Sequence, residues 1–237
     1  MKSLLIIKTG TTVALAAREG GDFEEWIAHA AGFRLDECIT CNVMQGELLP
    51  DADTVGGVII TGSAAMVSDR LPWSEYAAAW LKQVADSGLP VLGICYGHQL
   101  LAHALGGVVD FHPLGREIGT TGIRQLPPAH TDPLFNDVPQ KFAAHVSHMQ
   151  SVRELPADAI VLACNEFEPY HAVRFREQIW GVQFHPEFSR QIMLAYLEER
   201  EARLIEEGLN VQVLREQVTE TPEAVLILRN FGRLLLH

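Results

Sequence analysis

The chain holds 237 residues, 48% of them hydrophobic, with 18 Lys plus Arg against 30 Asp plus Glu and a formal net charge of -12. That much apolar sequence can bury one substantial core, and a surface of this sign repels a phosphate backbone, which excludes a nucleic-acid partner. No stretch reaches the roughly 18 apolar residues that a membrane-crossing helix needs, so no membrane partner is expected.

Residues 4 to 8 (LLIIK) open the chain as a short apolar, β-branched run. Lys8 interrupts it and no cleavage signal follows, so it is not a secretory leader. A helical pattern follows at 23 to 33 (FEEWIAHAAGF), then a second strand-like run at 57 to 61 (GVIIT), and a helix at 74 to 88 closed by Gly88 and Pro90. VLGI at 91 to 94 is a third buried strand, leading into a helix over 97 to 105. Strand and helix alternate, which predicts a mixed, mostly parallel sheet with helices on both faces.

Beyond this the pattern changes. Residues 115 to 127, 157 to 167 and 171 to 188 alternate apolar and polar side chains between turn signals, as antiparallel or mixed strands do. From Gln191 the sequence is amphipathic and charge-rich, and a last helical run occupies 222 to 236. The expected organisation is a domain over 1 to 190 with a C-terminal helical extension of it over 191 to 237. Four cysteines are too few for a disulfide framework in a chain this long, so free thiols and a cytoplasmic location are expected. Cys38 and Cys41 form a C-x-x-C in a β-branched run with neither a second pair for zinc nor a helix start for a redox thiolate. They read as packing residues.

Cys95 is different. Gly93-Ile94-Cys95-Tyr96-Gly97 lies between a predicted strand and a predicted helix, where glycines allow a sharp turn that presents the middle side chain at the top of a sheet. The helix N-terminus there favours a thiolate and offers N–H groups to an oxyanion. A partner base stands in GVQFHPEF: His185 and Glu187 are two residues apart and project to one side of an extended chain, so the carboxylate can hold the imidazole.

With GVIITGSAAMV, VLGICYGHQLLAHALGG and GVQFHPEF in this order, the chain resembles the class I, or triad-type, glutamine amidotransferases, most closely the glutaminase domain of GMP synthase and its stand-alone relatives. The likeness covers about residues 50 to 190. It implies a flavodoxin-like α/β fold, glutamine as substrate, Cys95 as nucleophile, His185 as general base and acid, and Glu187 as its orienter. It also implies an oxyanion hole from the backbone N–H groups of Ser63 and Tyr96, and substrate contacts from Gly62, Gln99, Ser147 and His148. No cofactor or metal is implied, and the pair His145 and His148 has no further ligand at metal spacing.

Two positions depart from the family pattern. Ser63 stands where a second glycine is usual, and Gln150 where aspartate is frequent. No glycine-rich phosphate loop or second strand-helix series follows residue 190, so the ATP pyrophosphatase half of GMP synthase is not expected. Three readings stay open: a glutaminase passing ammonia to a separately encoded synthase, a hydrolase of other γ-glutamyl amides or peptides with the same triad, and a non-catalytic regulatory protein.

Overall fold

The computed structural model describes residues 2–18 and 20–236. Strand β1 (Ser3–Lys8) is followed by a single helical turn α1 (Ala14–Ala17), helix α2 (Phe23–Ala31), β2 (Cys38–Asn42), β3 (Val55–Ile60), α3 (Pro72–Val84), β4 (Val91–Ile94) and α4 (Tyr96–Ala104). Then come β5 (Val108–Phe111), β6 (Glu117–Gln125), β7 (Lys141–His148), β8 (Gln150–Glu154), β9 (Ile160–Cys164), β10 (Ala172–Arg176) and β11 (Ile179–Val182). Four helices close the chain: α5 (Arg190–Glu199), α6 (Glu201–Glu206), α7 (Val211–Gln217) and α8 (Val225–Leu235).

Nine strands form one sheet in the order β2-β1-β3-β4-β11-β10-β9-β6-β7, and β5 pairs with β8 in a separate ribbon. The pairs β1–β2, β1–β3, β3–β4 and β4–β11 are parallel. From β11 outward to β7 every pairing is antiparallel. The expected mixed sheet with helices on both faces is therefore present, its parallel part running from β2 to β11 and its antiparallel part drawn from the second half of the chain.

Side chains alternate across the central strands as a sheet buried on both faces requires. Leu4, Ile6, Ile59, Leu92 and Ile94 pack to one side with α2 and α8, while Leu5, Ile7, Val58, Ile60 and Val91 pack to the other with α3 and α4. The C-terminal helices belong to the first of these cores through Leu197, Leu204, Val211, Ile227 and Phe231.

Several boundaries move for local reasons. The helix expected to 33 stops at Ala31 because Gly32 takes the left-handed conformation at φ 87°, while Asp22 and Glu25 form a capping box at its start. The helix expected from 74 begins at Pro72, where proline's missing N–H costs nothing. The run 171 to 188 is two strands, β10 and β11, and β7 and β8 were not among the expected elements. Cys38, read as a packing residue, is only half-buried, and so is Cys164.

Candidate active site

The site forms at the carboxyl ends of β3, β4 and β11, where open α/β sheets place their ligands. β4 passes into α4 through one residue, Cys95, at φ 50° and ψ -99°. A left-handed φ is unfavourable for a side chain with a Cβ, and it persists only where the surroundings over-determine it. The Cys95 N–H donates to the Val182 carbonyl at 2.8 Å, and its carbonyl accepts from the Gln99 N–H at 3.2 Å. A Cβ at Gly93 would overlap the Gly97 carbonyl, and one at Gly97 would stand 2.6 Å from the Ile60 carbonyl oxygen. Both glycines are required for strand and helix to approach this closely.

His185 is placed by backbone as well as side chain. Its N–H donates to the His145 carbonyl at 2.8 Å, a bridge between the segment after β11 and strand β7. Its Nδ1 lies 2.7 Å from Glu187 Oε1. Because a carboxylate can only accept, Nδ1 carries the proton in this contact and Nε2 is left for another partner. The ring stacks on Phe188 at 4.0 Å between centroids, and Phe23 lies parallel to both rings at 6.2 Å from each. Burial alone would discharge this imidazole, but the Glu187 carboxylate and the Cys95 sulfur outweigh it and raise its pKa to about 10.

Cys95 itself is only 5% exposed, and it opens into a cavity of about 310 Å³. Of the residues the sequence singled out, Ser63, Tyr96, Gln99, Ser147 and His148 line that cavity with Cys95, and so does Gln150. The backbone N–H groups of Ser63 and Tyr96 donate to no backbone carbonyl among the described residues. Ser147 Oγ is buried without a hydrogen-bond partner among the described residues. The Gln99 amide donates to the Gln150 carbonyl at 2.7 Å and to Gln183 Oε1 at 2.9 Å. His148 is held from both sides, by the Gln150 carbonyl at 3.0 Å and by Glu117 at 3.0 Å. Gly62 supports the site from outside the cavity, with its Cα against the His185 ring. His145 and His148 sit on different partners, the former beside Thr120, and do not converge as a ligand pair.

Sequence reasoning missed three cationic lining residues: Arg116, before β6, and Arg200 and Arg203, at the junction of α5 and α6. The latter two are three residues apart, a spacing that puts them on one helical face, but in LEEREARLIEEG such spacing reads equally as a solvent-facing ion-pair ladder. Four larger hollows, of about 810, 980, 460 and 500 Å³, do not contain Cys95, although the one of 980 Å³ borders Glu187 and Phe188.

Comparison with known proteins gives concordant results. The family model "Glutamine amidotransferase class-I" matches residues 21–202. GMP synthase [glutamine-hydrolyzing] of Aeropyrum pernix is 39% identical over 142 residues, 60% of this chain and 25% of that protein. The enzyme of the same name from Caldicellulosiruptor saccharolyticus is 38% identical over 147 residues, 60% of this chain and 27% of that protein. The matched segments thus span about a quarter of these curated relatives. A solved glutamine amidotransferase from Thermotoga maritima superposes with a TM-score of 0.79 at 19% identity, covering 100% of this chain and 99% of that one.

Proposed function

The chain belongs to the class I glutamine amidotransferase family, and on that premise we propose that it hydrolyses the side-chain amide of glutamine to glutamate and ammonia through a γ-glutamyl thioester on Cys95. The observation that carries this reading is the buried Glu187–His185 pair, joined at 2.7 Å, with the Cys95 sulfur acting on the same imidazole at the mouth of a cavity.

Each group has a step. His185 Nε2 takes the Cys95 proton, and the thiolate attacks the amide carbon. The oxyanion forms against the free N–H groups of Ser63 and Tyr96, fixed dipoles that need not reorganise during reaction. The imidazolium, held by Glu187, gives its proton to the departing nitrogen, and ammonia leaves as the thioester forms. Water then attacks the thioester with His185 again as base, releasing glutamate and restoring the thiol. Gln99, Ser147 and His148 contact the glutamyl group, with the unpartnered Ser147 Oγ as a donor already in place. Ammonia passes to an acceptor bound by a separate synthase, a role suggested by the GMP synthase relatives.

The test is glutamate and ammonia release from glutamine by the purified chain, combined with peptide mapping after a limiting dose of iodoacetamide or a diazo-ketone analogue of glutamine. Label should fall first on Cys95. Cys38 is more accessible, but burial and the charges of Glu37 and Asp36 push its thiol up to about 11, and burial raises Cys41 as well. Glu187→Gln should keep the thiol reactive while impairing turnover, because the imidazole loses its orienter. Hydrolysis at the wild-type rate by Cys95→Ala would refute the reading.

A further inference from the structure

The cavity over Cys95 is lined by three arginines and by no carboxylate. Their situations differ. Arg116 is bound to Glu207 through Nε at 2.7 Å and Nη2 at 3.0 Å, and its Nη2 also meets Met149 Sδ. Arg203 shares the same Glu207 through Nε at 2.9 Å. Arg200 has no ion pair and no side-chain hydrogen bond among the described residues. Its guanidinium lies over the Tyr196 ring, 5.2 Å from the centroid. Two arginines therefore divide one carboxylate to hold α6 across the site, and the third is left as an uncompensated cation facing the cavity.

An amino acid held by its γ-amide brings an α-carboxylate and an α-ammonium to the far end of the cavity. The ammonium meets no opposite charge there. Gln150 is neutral, and its amide is already engaged, with nitrogen donating to Ser68 Oγ and oxygen accepting from the Ser68 N–H at 3.4 Å. The α-carboxylate, by contrast, meets a planar guanidinium suited to two parallel N–H···O bonds. Burial, together with neighbouring Arg116, lowers the Arg200 pKa, so this under-solvated cation gains from an anion.

Resting on the glutaminase reading above, we propose that Arg200 is the anchor for the substrate's α-carboxylate and that the α-amino group is not selected. The substrate class is then any γ-carboxamide with a free α-carboxylate, including Nα-acylated glutamines.

The test compares glutamine, Nα-acetylglutamine and glutamine α-amide with the wild-type chain and with Arg200→Gln and Arg200→Lys. A hydrogen bond to a charged group contributes enough that losing the carboxylate should cost about ten- to hundredfold in kcat/KM. Nα-acetylglutamine should stay within about tenfold of glutamine. Arg200→Gln should bring glutamine down to the level of the α-amide, mainly through KM, while leaving the α-amide unchanged, and Arg200→Lys should recover part of the difference. Equal kcat/KM for glutamine and its α-amide, an equal fall for both in Arg200→Gln, or rejection of Nα-acetylglutamine as severe as that of the α-amide would overturn the proposal. If no amide is hydrolysed, the proposed activity fails and the subsite is read by alkylation instead. The rate of Cys95 modification by iodoacetate relative to iodoacetamide should fall several-fold in Arg200→Gln. An unchanged ratio, or a Cys95 that neither reagent modifies, overturns this proposal too.

Discussion

Gly62→Ala tests the site through space rather than chemistry. The backbone at Gly62 has no positive φ, so alanine is not excluded by conformation, yet its Cβ would stand 2.9 Å from His185 Cε1. Carbon–carbon contacts settle at about 3.5–4.0 Å, so the ring must retreat by roughly 0.6 Å or more. It has little room, because Phe188 is stacked on it at 4.0 Å and Nδ1 is tied to Glu187 at 2.7 Å. A displacement approaching 1 Å at a catalytic group costs on the order of 10²-fold, whereas local overpacking costs about 1–3 kcal/mol of stability. The expectation is a kcat on glutamine lowered by about ten- to hundredfold in a chain that still unfolds cooperatively, with Tm down by roughly 2–12 °C. Steady-state glutamate release and a thermal melt on the same preparation measure both. Wild-type kcat in a correctly folded Gly62→Ala chain would refute the placement of His185 as the working base.

Three further outcomes are expected. Ser63→Gly should retain most activity, whereas Ser63→Pro, which deletes the N–H, should lose roughly 10²-fold in kcat; equal rates for proline variant and wild type would remove Ser63 from the oxyanion hole. In the folded chain burial, helped by His171 and His148, holds His98 down to about 3, and burial with His185 holds His145 down to about 4, against 6.5 when exposed. Between those values and 6.5 the unfolded chain binds the extra protons, so stability falls as pH drops below about 6.5, by up to about 1.4 kcal/mol per pH unit per histidine. The urea midpoint should be lower at pH 5 than at pH 7 and the difference smaller in His98→Leu; a midpoint that rises on acidification contradicts this. In α8, Gly232→Ala should gain up to about 1 kcal/mol of helix propensity but overlap the Ala31 carbonyl oxygen of α2, for a net loss of about 1 kcal/mol or more, visible as a lower Tm; a higher Tm would mean that the two helices separate at little cost.

What was legible in the sequence is what the backbone dictates locally. The parallel strands announce themselves because they are buried on both faces and so read as short runs without polar side chains, at 4 to 7, 57 to 60 and 91 to 94. Cys95 is legible because only small residues at 93 and 97 let β4 and α4 meet, and His185 with Glu187 because two-residue spacing puts them together. By contrast the end of β7 and the start of β8, residues 145 to 152, show no apolar face in the sequence, because the His148 and Gln150 side chains are buried as hydrogen-bonding partners of Glu117 and Ser68. The division of the C-terminal region into four helices was equally obscure. α5 and α6 abut at Arg200, and α7 starts only because the Asn210 side chain caps it by accepting from the Val213 N–H.

The arginines expose a difference between the two halves of the site's chemistry. A nucleophile elbow and a base-orienter pair are constrained by chain geometry over two to five residues, so they must leave a sequence signature. A guanidinium on a long stem has no such constraint, since it can reach one cavity from many positions on a neighbouring helix. Here Arg200 and Arg203 are 105 or more residues from Cys95 in sequence and reach it because α5 packs over α1 and beside the His185 segment, where Tyr196 meets Phe188 and Thr12. If Cys95, His185 and Arg200 act as proposed, turnover is written in motifs, whereas substrate choice depends on how the C-terminal helices are laid across the sheet. Two chains with the same CYGHQ and FHPEF segments but different last helices should share the attack on the γ-amide and differ in whether they select the α-carboxylate of the γ-glutamyl compound.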